Sequence, residues 1–212
     1  IIINKIENYE QVLEDNLVIL DRNKRLHKII NDTASLLDKK KLKIVKDKSL
    51  LEEVVGLVEF PNVLIGSINK QFMKLPREVL TTAMRVHQKY FAITDIDNNL
   101  ESKFLFVANS IKNTNRDLRV IEGNERVLKA RLSDANYFYE NDISNTFDNW
   151  NEKLKHVLFH ESLGSLHDKT TRMANISRVF AKHFEVKPEL AQQAALLSKA
   201  DLVSEMVMEF PE

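Results

Sequence analysis

Phe91-Ala92-Ile93-Thr94-Asp95-Ile96-Asp97-Asn98-Asn99-Leu100-Glu101-Ser102-Lys103-Phe104-Leu105-Phe106-Val107 is the stretch on which the fold turns. Residues 91–94 and 104–107 are apolar and β-prone, and Asp97-Asn98-Asn99 between them is a turn signal, so the stretch predicts a β-hairpin. Upstream, residues 42–45 and 62–68 read as further strands, the second interrupted by Gly66, with a short helix at 50–57 between them. Pro76 suits the first turn of a helix reaching to about residue 88. Residues 6–13 read as a brief helix and 17–20 as a short apolar stretch. Asp21 then caps a helix to about residue 38, with Leu26, Ile29, Ile30, Thr33, Leu36 and Leu37 on its apolar side. Lys39-Lys40-Lys41 closes that helix favourably for its dipole, and a solvated helix end accounts for the run. Strands alternating with helices make the first part a mixed domain built on a sheet.

From residue 115 the pattern turns helical. Thr114 or Asn115 caps a long helix to about residue 140, carrying Leu118, Ile121, Leu128, Leu132, Ala135 and Phe138 at helical spacing. Gly123 inside it costs about 1 kcal/mol against Ala, so it is expected either to break the helix or to permit a close backbone approach. Further helices are expected at 145–157, 166–184, 188–197 and 199–208. The resulting class is α+β: a mixed sheet-and-helix domain over 1–142, with a soft boundary at 142–151, then an all-helical region over 143–212.

Composition narrows the chemistry. The 212 residues hold 31 basic and 31 acidic side chains, so any polyanion contact must come from local basic patches. Cysteine is absent, which removes disulfides, thiolate zinc sites and a Cys nucleophile. No apolar run approaches the ~18 residues of a membrane span. The opening Ile1-Ile2-Ile3-Asn4 has neither the features of a signal peptide nor an initiator Met, the expectation for a chain that begins mid-protein. With four glycines there is no phosphate-cradling loop, and neither a Gly-x-Ser-x-Gly elbow nor a His-Glu-x-x-His pair occurs.

Two groups of residues invite a functional reading. His160, Glu161, His167, Asp168 and Asp201 are metal-ligand types that would activate water for phosphoester cleavage. Neighbouring His167 and Asp168 point about 100° apart on a helix, however, so capping or surface roles are the plainer reading. The second group is basic. Arg85 and Lys89, beside His87, share a helix face that would hold a phosphate, and a solvated amphipathic face is the alternative. Arg116, Arg119, Arg126, Lys129 and Arg131 concentrate positive charge, interleaved with Asp117, Glu122 and Glu125, which would neutralise part of it.

Longer strings carry a resemblance. Val58-Glu59-Phe60-Pro61-Asn62-Val63-Leu64-Ile65-Gly66-Ser67, Leu75-Pro76-Arg77-Glu78-Val79-Leu80 and Met84-Arg85-Val86-His87-Gln88-Lys89-Tyr90-Phe91 come first. Glu122-Gly123-Asn124-Glu125-Arg126-Val127-Leu128, Ala130-Arg131-Leu132-Ser133-Asp134-Ala135 and Phe138-Tyr139-Glu140 follow, then Leu163-Gly164-Ser165-Leu166 and Lys199-Ala200-Asp201-Leu202. In this order they resemble an internal piece of the beta subunit of the bacterial two-subunit glycyl-tRNA synthetase, strongly over 50–212 and loosely before.

The resemblance implies a cytoplasmic ligase subunit that binds and positions tRNA(Gly) beside an alpha subunit. ATP and Mg²⁺ act at that alpha subunit, and this segment needs no cofactor, metal or catalytic residue of its own. It implies that residues 1–142 are like the editing-type module of the phenylalanyl-tRNA synthetase beta subunit. Residues 143–212 would begin a His-Asp-like helical domain that is incomplete at Glu212. Ala194-Ala195-Leu196-Leu197-Ser198-Lys199 resembles that domain's Leu-Leu-His-Asp string, with Ser198 and Lys199 in the ligand places, and a lysine cation cannot replace a metal-binding carboxylate. The expected tRNA contacts are Arg126, Arg131, Lys169 and Arg172, then Arg85 and Lys89. The rival is a metal-dependent phosphohydrolase or a tRNA-editing deacylase, and a third reading is scaffolding between the other parts of the complex.

Overall fold

A computed structural model describes residues 3 and 5–211, with Lys39 described in its backbone alone; Ile1, Ile2, Asn4 and the Lys39 side chain of the lysine run lie outside the described residues. The chain forms two compact units, Ile1–Asp134 and Ala135–Glu212. The sequence places the change at 142/143; the units divide eight residues earlier, inside a continuous helix.

The first unit contains, in order, α1 (Tyr9–Asp15), α2 (Arg22–Leu37), β1 (Lys43–Ile44), α3 (Lys48–Leu57), β2 (Pro61–Ser67), α4 (Arg77–Thr82), β3 (Phe91–Thr94), β4 (Leu100–Asn109) and the start of α5 (Thr114–Ser144). β3 and β4 form the expected hairpin. The Asp95 carboxylate accepts from Asp97 N–H at 2.9 Å and Asn99 N–H at 2.8 Å, and Asn98 takes the left-handed conformation at φ 64°. The sheet is antiparallel throughout, ordered β1-β3-β4-β2.

Alternation along β4 sends Leu105 and Val107 to one face, and Phe104 and Phe106 to the other. On the first face α2 and α3 bury Ile29, Leu37, Val54 and Val55 against Phe91, Ile93 and Leu105. Asp21 caps α2 as expected, its carboxylate accepting from Asn23 N–H at 2.7 Å. Ile30, read as part of the apolar stripe, is 45% exposed, because the stripe that packs is narrower than the one the spacing outlines. On the second face Tyr90, Phe104 and Phe106 stack, with centroids 4.7 Å apart for Tyr90–Phe104 and 5.7 Å for Phe104–Phe106. The Tyr90 hydroxyl donates to Asn124 Oδ1, tying α5 to this face.

Phe104 needs space beside it. The register places it opposite Gly66 on β2 and Ala92 on β3, so its ring lies over a strand position with no side chain. A Cβ at Gly66 would come within 2.6 Å of Phe104 Cε1 and closer still to Cζ.

Pro76 sits at the cap of α4, one residue before its first turn, and the helix loosens into a π turn at Ala83–His87. Beyond it Lys89 is left-handed at φ 57°. In α5, Gly123 neither breaks the helix nor admits a close neighbour: the helix runs through it, and an added Cβ meets nothing within 4 Å. Gly123→Ala should therefore raise the stability of the free protein by up to about 1 kcal/mol, read as a higher denaturant midpoint. Leu118, read as part of the apolar side of α5, is 54% exposed.

The second unit takes up the end of α5, then α6 (Phe147–Lys153), β5 (Leu158–His160), β6 (Gly164–Ser165), α7 (Leu166–Ala181), α8 (Pro188–Leu197) and α9 (Glu205–Glu209). The all-helical expectation is corrected here, since β5 and β6 pair antiparallel around a turn that needs Gly164 at φ 82°. The helix expected over 199–208 is also broken. Ser204 is extended at ψ 149°, its hydroxyl caps α9, and the Asp142 carboxylate accepts from Glu205 N–H at 3.0 Å and Met206 N–H at 2.8 Å. The α8 helix has the expected bounds, with Pro188 in its first turn.

Candidate functional site

The α5 helix decides how much of the charge read from the sequence is offered outward. At 100° per residue, Arg116, Arg119 and Arg126 fall within a sector of roughly 80° and span roughly 15 Å of helix. All three are exposed, and among the described residues no guanidinium of the three has a hydrogen-bond or ion-pair partner. The interleaved acids were expected to neutralise them, yet two of the three turn inward. Asp117 is buried and accepts from Asn62 Nδ2 at 2.9 Å and Asn113 N–H at 3.1 Å. Glu125 accepts from Ser67 N–H at 2.7 Å. The spacing 117, 121, 125, 128, 132 follows the buried side of α5, so the signal is present in the sequence and was outweighed there by the bare charge count.

Elsewhere in the first unit the candidate cations have internal partners. Arg85 Nε donates to Asp47 Oδ2 at 2.6 Å and its Nη2 to Ser49 Oγ at 3.3 Å. Burial opposes the Asp47 charge, but hydrogen bonds from Leu50 N–H, Ser49 and Arg85 outweigh it and hold the carboxyl below the usual range. Lys89 Nζ pairs with Glu53 Oε1 at 2.9 Å, and Arg131 Nη2 lies 3.3 Å from His87 Nδ1. Burial pushes the Tyr90 phenol from 10.0 up to about 12. The unfolded chain then ionises first, so Tyr90 supports the fold fully below about pH 10 and loses that contribution as pH rises toward 12. Phenolate absorbance near pH 11 should accordingly be the same for the wild type and Tyr90→Phe; a difference there would place the phenol in water.

In the second unit, Lys169 Nζ stands 4.1 Å over the Phe159 ring, and Arg172 Nη1 donates to Leu163 C=O at 3.0 Å. The metal-type residues are dispersed in their roles. Asp168 completes a capping box: its carboxylate accepts from Ser165 N–H at 2.8 Å and from the Ser165 hydroxyl at 2.9 Å. Those two hydrogen bonds hold the Asp168 carboxyl below the usual range. His160 lies on β5, outside any helix, and its Nδ1 accepts from Ser162 N–H at 3.1 Å. The Asp201 carbonyl accepts from Ser204 N–H at 2.9 Å, and the Ser198 hydroxyl donates to Ala195 C=O at 2.8 Å. Among the described residues no group of three His, Asp or Glu side chains is placed to hold a metal ion. Of the six expected contacts, Arg85, Lys89, Arg126 and Arg131 belong to the first unit, and Lys169 and Arg172 to the second.

A sheet-based unit with an outward arginine face, followed by a mainly helical unit, is the class of molecule these features define. No helix among the described residues is long and apolar enough to cross a membrane. A family model described as the glycyl-tRNA synthetase beta subunit matches residues 1–212, and the chain belongs to that family. It is 46% identical over 210 residues to a glycine–tRNA ligase beta subunit of Rickettsia felis, covering 99% of this chain and 31% of the relative. A Coxiella burnetii beta subunit is 43% identical over 212 residues, covering 100% of this chain and 30% of the relative. The chain thus spans about 30% of the length of these curated relatives.

Proposed function

We propose that the chain is a tRNA-holding segment of a glycine–tRNA ligase beta subunit and that it carries no bond-breaking site of its own. Membership of the family supports the ligase-subunit part, and one observation supports the tRNA-holding part: α5 turns Arg116, Arg119 and Arg126 outward while its acids Asp117 and Glu125 serve the interior. A guanidinium without an internal partner meets a phosphate without first giving up a carboxylate, so this face is the cheapest place on the first unit to bind a polyanion. Arg126 leads the contacts with Arg116 and Arg119; Arg131, which lies 3.3 Å from His87, follows, then Lys169 and Arg172. Arg85 and Lys89 join only by exchanging Asp47 and Glu53 for phosphate.

In this reading an alpha subunit in the same cytoplasmic complex activates glycine with ATP and Mg²⁺, and the remainder of the beta subunit shares the tRNA. Residues 1–142 act as an editing-type module and 143–212 as part of a His-Asp-like domain that has given up hydrolysis. The donor set favours that loss: Asp168 is committed to the cap of α7, and a cation at Lys199 repels a metal.

Aminoacylation by the intact complex tests the proposal. Changing Arg126 and Arg131 to glutamine should raise KM for tRNA by about fivefold per guanidinium. Glycine-dependent exchange of pyrophosphate into ATP should stay at the wild-type rate. An unchanged KM for tRNA would remove the segment from tRNA binding.

A further inference from the structure

Beside the α5 face the sheet has a gap that the sequence does not announce. The ladder between β3 and β4 starts at Phe91 opposite Leu105, whereas β4 runs on to Asn109. Ile68 N–H donates to Ser102 C=O, so the even-numbered residues of β4 direct their main chain to β2, and Val107 directs its own to the other side. Residue 89 would continue the ladder there. Lys89 instead turns left-handed at φ 57°, a conformation a lysine rarely adopts, and the chain leaves the line of β3. The result is a cleft of about 260 Å³ between the end of α3, the turn at 88–90, β4 and α5.

The walls of this cleft are of two kinds. Phe106, Val120 and the exposed Leu57 supply apolar surface. The polar groups are the Val107 main-chain N–H and C=O and the Gln88 amide, which has no hydrogen-bond partner among the described residues. Asn124 is already committed, accepting from Tyr90 and donating to Val120 C=O at 2.7 Å. At the rim the Lys89 ammonium stands beside Glu53. An extended peptide would need a longer free edge than the short one left beyond Leu105 here. A flat ring with an adjacent donor and acceptor on its edge, joined to an anion, fits every group present.

We propose that this cleft receives one unstacked base of a bound RNA, its edge read by Val107 main chain and Gln88, its face against Phe106 and Val120, and its phosphate toward Lys89. This rests on the tRNA reading above and adds a base contact to what would otherwise be phosphate contacts alone.

Base-specific chemical probing of a tRNA(Gly) transcript bound to the intact alpha–beta complex tests it, with dimethyl sulfate and a carbodiimide as probes. In the wild-type complex one base should be protected on its hydrogen-bonding edge. Val120→Phe, which fills the cleft, and Gln88→Ala, which removes an edge reader, should each restore its reactivity and weaken tRNA binding by about tenfold. If Val120→Phe proves to be unfolded by circular dichroism, Gln88→Ala decides alone. Wild-type reactivity and affinity in these variants, with Arg126→Gln still weakening binding, would overturn the cleft and leave the tRNA reading standing. Affinity lost without a change at any single base also overturns it. No effect from Arg126→Gln or the cleft variants would bring down both.

Discussion

Gly66→Ala is expected to destabilise the first unit by about 1–3 kcal/mol, the cost of forcing an extra carbon into a well-packed core. The clash has no easy relief. The added Cβ would lie within 2.6 Å of Phe104 Cε1, and Phe104 is fully buried between Tyr90 and Phe106 on the sheet's second face. A flexible surface side chain would swing away; a stacked ring cannot move without displacing two others. Chemical denaturation of the chain and of the Gly66→Ala variant reads the loss as a lower midpoint at unchanged slope. Phe104→Leu in the same background should recover part of it, since a smaller side chain vacates the space that the methyl needs. Equal midpoints for the wild type and Gly66→Ala would mean that the β2–β4 register or the ring position differs from the one described.

The second large effect concerns salt. Replacing Arg116, Arg119 and Arg126 together with glutamine should flatten the dependence of log K for tRNA on log salt by between two and three, because each phosphate contact releases counterions worth about 0.7–0.9 of slope. The three guanidinium groups are exposed and without internal partners, so their loss leaves the fold intact and the effect is read in binding alone. The variants should converge on wild-type affinity at high salt, where the electrostatic part is screened out. Arg85→Gln gives the contrast. Its guanidinium bridges Asp47 and Ser49 at the start of α3, so the change is expected to show more in stability than in the slope. An unchanged slope in the triple variant would show that the α5 face meets no phosphate.

How far the sequence carried the structure depends on how far each signal reaches along the chain. Asp21 capping α2, the Asp95–Asn99 turn, Pro188 opening α8 and the amphipathic run of α5 are all decided by groups within a few residues of one another, through hydrogen bonds and a repeating apolar spacing. Those elements were legible, and so was the α+β class they build. The family was legible as well, in long ordered strings rather than in any one residue.

Only the tertiary structure decided what depends on neighbours distant in sequence. It turned Asp117 and Glu125 inward, because Asn62 and the Ser67 N–H, on a strand more than fifty residues away, need acceptors. It left Gly123 without a close neighbour and Gly66 without room, although the two look alike as isolated glycines in regular elements. It also set Lys89 out of line with β3, which opens the gap beside Val107. Periodicity reports which face of an element is apolar, whereas the partner of a polar group is fixed only when the sheet closes and every buried donor must find an acceptor.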